Sequence, residues 1–438
     1  MFHPSVGTFF MLYTLAKILM TVGLRFFYRK IYVSGLENIP PNGPAILIAN
    51  HHSSLMDAAV IGILSKRAVH FFTRGDVFVN GPVKRILSWL HMMPVHAHGG
   101  GRKTINANDS SFSEAEKILA SGGVIIFFPE STSHIERQIY PLRKGVFRLA
   151  FGTVSKQGHH FNIPIVPVGI SYAHPTKSRT DLLINMGEPI DLAAYRDNYE
   201  TNSPATLLRI SKDAYTALCK ECLHIDDPSR LVAADFLLAI HRTDIRTDDG
   251  KWAIKSKTNF QQQKEICNKI NTISDAEVTR IQMAGESYFE ELKKKGISDT
   301  TVVGKNSHTS LPGLIAGLPV FITGILLNSL PIFVARKIAD KKVYRKDFYS
   351  WIFVACYTVL YFLWLTLLTI LLFIFGGQYA LAGLIITIAS GIFAFKYTGW
   401  YKQYLDNRAW VTLDQDEKNN LVAARQTLRS QLQSRVIN

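Results

Sequence analysis

The chain has 438 residues, more than one ordinary domain, so two or three parts are expected. A formal net charge of +15 calls for an anionic partner and excludes a neutral, inert surface. Four cysteines (Cys219, Cys222, Cys267 and Cys356) are too few for a disulfide framework, and Cys219 and Cys222, with no second pair, read as structural in a reducing, cytoplasm-facing part.

In chain order, residues 1–29 come first. They are mostly apolar but interrupted by Lys17 and Arg25, which suits a membrane-associated helix lying in the interface. No Lys or Arg precedes Lys17 and no small-residue cleavage site follows, so the stretch does not resemble a signal peptide. Residues 30–190 alternate short apolar runs with amphipathic ones. Strands are predicted at 44–49, 70–73, 92–95, 123–128, 164–170 and 182–186, with helices at 58–65, 82–91, 113–121 and 144–156 between them. This alternation predicts an α/β domain, a mostly parallel mixed sheet flanked by helices, with its site at the carboxyl ends of strands.

Residues 191–310 read as a helical insert or linker, broken by a charged segment at 243–251. Two stretches beyond it carry no charge, 311–335 and 348–395. Gly324, Asn328 and Pro331 predict that 311–335 is a re-entrant or interfacial membrane segment. Gly376-Gly377 divides 348–400 into two transmembrane helices of adequate length. Lys341, Lys342, Arg345 and Lys346 precede them, and Lys396, Lys402 and Arg408 follow, so both flanks belong on the cytoplasmic side. Residues 401–438 form a polar helical tail.

Two motifs carry the chemistry. Asn50-His51-His52-Ser53-Ser54-Leu55-Met56-Asp57 and Phe128-Pro129-Glu130 each follow a run that reads as a buried strand. The spacing from His52 to Asp57 would point the two groups apart on one helix. With His52 at a strand end and Asp57 on the next helix, the carboxylate can orient the imidazole, which then takes a proton from a hydroxyl. His52 and Asp57 are therefore the candidate catalytic pair. Pro129 stops its strand and leaves Glu130 outside it, to bind substrate hydroxyls or to position the loop. Arg143 and Lys144 sit in the turn before a helix, where cations and free backbone N–H groups favour a phosphate. His96 and His98 lack a third ligand, so no metal is expected. Phe71, Phe72 and Phe127 sit among apolar neighbours in strands, which speaks against nucleic-acid stacking.

These motifs, followed by Ile165-Val166-Pro167-Val168-Gly169 and Gly187-Glu188-Pro189-Ile190, resemble the glycerolipid acyltransferase family across roughly residues 30–190. The resemblance implies His52 as base, Asp57 as its partner, Glu130 and Ser131 in acceptor binding, and Pro167 on the acyl-donor side. Ser131 stands where the family usually has glycine, and Ser133-His134 is similar to the glycerol 3-phosphate and dihydroxyacetone phosphate branch. The family's second block offers arginine after Pro-Val; this chain has Pro94-Val95-His96, leaving Arg74 and Arg102 as candidates for the acceptor phosphate.

The expected activity is transfer of a fatty acyl group from a thioester to a glycerol-phosphate or lysophospholipid hydroxyl in phospholipid biosynthesis. The donor is acyl-CoA or acyl carrier protein, no cofactor is required, and membrane lipid rather than nucleic acid is the partner. An integral membrane protein with its catalytic domain facing the cytoplasm follows. A catalytically inactive membrane scaffold that retains the fold is the alternative.

Overall fold

The computed structural model describes residues 6–78, 80–95, 101–158, 160–246, 251–305 and 310–433, with only the backbone described in a few of these. Its strands are β1 (Lys30–Ser34), β2 (Ala45–Ala49), β3 (Val69–Arg74), β4 (Met92–Val95), β5 (Val124–Phe127), β6 (Ile165–Tyr172), β7 (Asp181–Met186) and β8 (Ala253–Lys255). Its helices are α1 (Val6–Phe27), α2 (Leu55–Leu64), α3 (Gly81–Trp89), α4 (Gly101–Ala120), α5 (Gly145–Gln157), α6 (Arg196–Thr201), α7 (Ser203–Glu221), α8 (Leu231–Asp244), α9 (Lys257–Thr272), α10 (Asp275–Lys295), α11 (Asp299–Val302), α12 (Leu311–Lys342), α13 (Lys346–Gly376), α14 (Ala380–Thr412) and α15 (Gln415–Gln433).

Among the described residues the strands make one eight-stranded sheet in the order β4-β3-β5-β2-β6-β7-β1-β8. The first five in that order are mutually parallel. β7, β1 and β8 are parallel to one another and reversed relative to the rest, because β6 and β7 pair antiparallel. The sheet is therefore mixed and mostly parallel, as the alternating pattern predicts. Both faces are covered, which is why central strands such as Ala45-Ile-Leu-Ile-Ala49 are apolar throughout. Alternation still sorts their side chains. Ala45, Leu47 and Ala49 join a core with Leu24, Phe27, Met56 and Val60 from the α1 and α2 side. Ile46 and Ile48 join the opposite core with Leu119, Phe147, Ala150 and Ile210 from α4, α5 and α7.

β1 and β8 are absent from the expected strands. Lys30–Ser34 follows an apolar helix without a turn residue to mark the change, and three-residue β8 is too short to show a period. Their pairing, Ile31 to Ala253 through Val33 to Lys255, is what makes β8 a strand.

The chain folds as two compact units. The first comprises residues 1–224, 251–264 and 343–355; the second comprises 225–250, 265–342 and 356–438. This corrects the expected separate insert over 191–310: α7 and β8 are parts of the sheet-bearing unit. The reason is burial, since α7 supplies Leu207, Ile210, Ala214 and Leu218 to the core beneath the sheet.

The second unit is helical. In it Arg425 pairs with Asp299 at 2.7 Å and with Asp244 at 2.7 Å, while Tyr288 donates to Asp299. Its apolar part corrects a second expectation. Residues 311–335, expected to be re-entrant or interfacial, do not re-enter but lie in the continuous helix α12. The supposed breakers serve packing instead. A Cβ on Gly324 would fall 2.2 Å from the Ser390 carbonyl oxygen, so only glycine permits so close an approach to α14. Asn328 is buried and donates to Gly324 O and Thr387 O, and it accepts from Tyr361 Oη at 2.6 Å. α13 and α14 part at residues 377–379, where Gly377 takes φ +50°. By length and composition, α12 and the α13–α14 stretch are apolar enough to cross a membrane.

Candidate functional site

Because β2, β3, β4, β5 and β6 are parallel, their carboxyl ends share one edge of the sheet. β2 and β5 are neighbours there, so the loop beginning at Asn50 lies beside the loop beginning at Phe128. Asn50 anchors the first loop: its side chain donates to Ile170 O at 2.8 Å and accepts from Ile170 N at 2.7 Å.

Asp57 stands in the first turn of α2, wholly buried. Its Oδ2 accepts from His51 Nδ1 at 2.9 Å and from Ser53 N at 2.9 Å. Its Oδ1 accepts from Tyr172 Oη at 2.5 Å. The histidine held by Asp57 is thus His51, not His52. A carboxylate only accepts, so the His51 proton sits on Nδ1 and Nε2 is the basic nitrogen. Nε2 has no protein partner among the described residues, and the side chain is 18% exposed. The ring is stacked on Phe128, with centroids 4.1 Å apart.

His52 turns the other way. Successive residues leaving a strand face opposite sides, so the two rings cannot both meet Asp57. His52 is buried, and its Nδ1 donates to His134 O at 3.0 Å. Burial first, and then the His134 ring, lower its pKa to about 4, so it is neutral at pH 7. A count of five against six across a loop carries no facing information, which is why spacing selects the wrong ring.

Glu130 is also corrected. It is buried and both oxygens are engaged: Oε1 accepts from His51 N at 2.9 Å, and Oε2 from Tyr140 N at 2.8 Å and His134 Nε2 at 2.7 Å. It braces the loop rather than presenting a carboxylate to substrate. His134 completes the brace, its N–H donating to His51 O at 3.0 Å. The loop is held again through Ser133, which donates from Oγ to buried Asp347 and accepts from Arg345 on its carbonyl at 3.0 Å. Arg345 also pairs with Asp347 at 2.7 Å.

The remaining candidates are dispersed. Ser131 is exposed at φ +69°, the conformation glycine takes without strain, so the loop keeps a glycine-like turn without the residue. Arg74 ends β3 on the same edge, exposed and paired with Asp76 at 2.5 Å. Arg143 is exposed, its N–H tied to Pro129 O at 2.7 Å, and Lys144 is the N-cap of α5. Of Arg102 only the α4 backbone is described, and His96 and His98 lie outside the described residues. Pro167 is buried within β6 opposite Ile48, five residues before that strand ends. Ile48 is the residue before the end of β2, so Pro167 lies one residue, roughly 3 Å, below the level at which the Asn50 loop leaves the sheet. The fourth block's strand also delivers Tyr172, its last residue.

Residues 30–171 match a family model described as Acyltransferase. Glycerol-3-phosphate O-acyltransferase 1 of Saccharomyces cerevisiae is 38% identical over 91 residues, 20% of this chain and 12% of that one. 1-acyl-sn-glycerol-3-phosphate acyltransferase BAT2 of Brassica napus is 23% identical over 40% of this chain and 46% of its own length. 1-acyl-sn-glycerol-3-phosphate acyltransferase alpha of Homo sapiens is 28% identical over 35% of this chain and 50% of its own. These matches span half or less of the relatives' length. A solved acyltransferase of Thermotoga maritima aligns at a TM-score of 0.33 and 20% identity, over 46% of this chain and 78% of that one.

Proposed function

Residues 30–171 belong to the glycerolipid acyltransferase family, and on that premise we propose that the chain is a membrane-bound O-acyltransferase of phospholipid biosynthesis. It moves a fatty acyl group from a thioester, acyl-CoA or acyl carrier protein, to the hydroxyl of glycerol 3-phosphate or a lysophospholipid. The observation that supports this is the pairing of a partly exposed His51 with wholly buried Asp57 at 2.9 Å. His51 Nε2 takes the acceptor's hydroxyl proton as the oxygen attacks the thioester carbonyl; the tetrahedral adduct then expels the thiolate, which takes that proton back. Asp57 holds the ring in the Nδ1–H form and stabilises the imidazolium between the two transfers.

Arg74, Arg143 and Lys144 remain the candidates for the acceptor phosphate, and Arg102 keeps that assignment from the sequence. The apolar helices α13 and α14 anchor the enzyme in the bilayer; α12 does not cross it alone, because chain before and after it folds into the one sheet-bearing unit. α1 adds an exposed apolar stripe of Met11, Leu15, Ile18 and Val22, suited to the interface. The basic junction of Lys341, Lys342, Arg345 and Lys346 belongs on the cytoplasmic side by charge bias. Because residues 343–355 fold with the sheet-bearing unit, that unit faces the cytoplasm too. An inactive scaffold has no need of a buried carboxylate aligned on a solvent-reaching ring.

The test uses the full chain in detergent with acyl-CoA and acyl carrier protein donors against glycerol 3-phosphate and lysophosphatidic acid. His51→Ala is expected to lower turnover by about 10³-fold or more. His52→Asn, which keeps a donor for His134 O, is expected to stay within about tenfold of wild type. Equal turnover of His51→Ala and wild type, or none in either, removes the enzymatic reading.

A further inference from the structure

We propose that Tyr172 is a positioning residue of the acyl transfer step, the third member of a His51–Asp57–Tyr172 chain that acts on His51 through Asp57. The inference rests on the functional reading above and adds a residue to it. The two oxygens of Asp57 are served from the ends of two neighbouring strands, β2 and β6. Oδ2 takes both local donors, His51 Nδ1 and Ser53 N, each at 2.9 Å, within the β2–α2 loop. Oδ1 takes only Tyr172 Oη, at 2.5 Å, which arrives from 115 residues away.

Donors on one oxygen alone leave a carboxylate able to turn about its own axis. A donor on the other oxygen fixes the plane, and with it the direction in which His51 is held. The phenol is suited to this task by reach and by protonation. A rigid ring carries the hydroxyl from the end of β6 across to the start of α2, where serine or threonine would fall short. Burial, then the charge of Asp57, pushes the Tyr172 phenol well above its ordinary range, so it stays a donor.

The tyrosine is itself held firmly. Arg137 donates to Tyr172 O at 2.8 Å and to Ala173 O at 3.0 Å, capping the end of β6. Its ring lies 6.0 Å from that of Tyr28, and both are fully enclosed in the core with Met56. The ionisable groups around Asp57 are His51 and His52 from its own loop, Glu130 from the β5 loop, Tyr28 from the end of α1, and Tyr172 from β6. Burial and the Asp57 charge raise the Tyr28 phenol as well, so neither phenol adds a charge beside Asp57.

The experiment compares full-length wild type, Tyr172→Phe, Asp57→Asn and the double variant, with His51→Ala as the inactive reference. Tyr172→Phe is expected to lower kcat about tenfold with KM for donor and acceptor unchanged, less than the roughly 10⁴-fold that an orienting carboxylate supplies. In the Asp57→Asn background the same change is expected to have no further effect on kcat, because the carboxylate it orients is gone. A kcat equal to wild type overturns the proposal. So does a tenfold loss that persists in the Asp57→Asn background, which marks a merely structural role. Where Tyr172→Phe fails to fold, the double variant against Asp57→Asn still decides, since it leaves no buried charge without its phenol. Inactive wild type, or an active His51→Ala, would instead sink the functional reading.

Discussion

Two adjacent histidines do different work here because the backbone turns between them. His51 meets Asp57 and reaches solvent; His52 is sealed against the loop carrying His134. The second environment has a measurable consequence. An unfolded His52 takes a proton near pH 6.5, whereas the folded ring resists until about 4. Its contribution to stability is therefore complete above pH 6.5 and is lost as pH falls through that window, about 3 kcal/mol in all. Urea unfolding at pH 7.5 and 4.5 should show wild type losing roughly 2–3 kcal/mol more than His52→Asn on acidification. Equal losses would mean the ring is protonated in the folded state. The motif around residues 50–57 announces a histidine–carboxylate pair, and Asp57 is legible in it. Which ring it meets is not, because facing within the five-residue loop from Asn50 to Ser54 is decided by tertiary contacts with Glu130, His134 and Tyr172. Tyr172 carries a faint signal as the residue ending the fourth block's strand.

Elements with a strong period are the easiest to foresee. β2 and β5 are continuous apolar runs, β6 is one through Ile170, and α10 carries a capping box of Ser274 and Glu277 at its start and left-handed Gly296 at its end. β1 and β8 are hidden because their identity comes from each other and from β7, not from local pattern. α12 misleads for the opposite reason: glycine, asparagine and proline read as breakers when a partner helix is out of view. With α14 present, Gly324 is a contact surface and Asn328 a cross-helix donor. Gly324→Leu should separate these helices, lowering the detergent melting temperature by several degrees, as a few kcal/mol of overpacking would. Gly399→Ala, whose added carbon meets nothing within 4 Å, should leave it unchanged. Equal melting temperatures would mean that α12 and α14 do not pack through Gly324.

At the scale of the whole molecule, charge and hydropathy foretell a basic chain with apolar helices toward its carboxyl terminus, but not how the chain is shared between units. The sheet-bearing unit is assembled from three separated stretches, and the last, 343–355, supplies wholly buried Val354 together with Trp351 and Phe353. It also supplies Asp347, which holds Ser133. A chain ending at residue 340 should thus unfold at lower temperature than the full chain in the same detergent, since the loss of Val354 burial alone costs roughly 2 kcal/mol. On the proposed function, its acyl transfer should fall as well. A truncated chain as stable and active as the full one would show that residues 343–355 are dispensable.

That discontinuity sets an order of events during synthesis. On the ribosome, the first 224 residues emerge with a gap in their hydrophobic interior, and the peptide that plugs it emerges only after α12 has done so. On the proposed function, a nascent chain stalled between the two would present apolar α12 while its catalytic unit was still incomplete, and so would be idle.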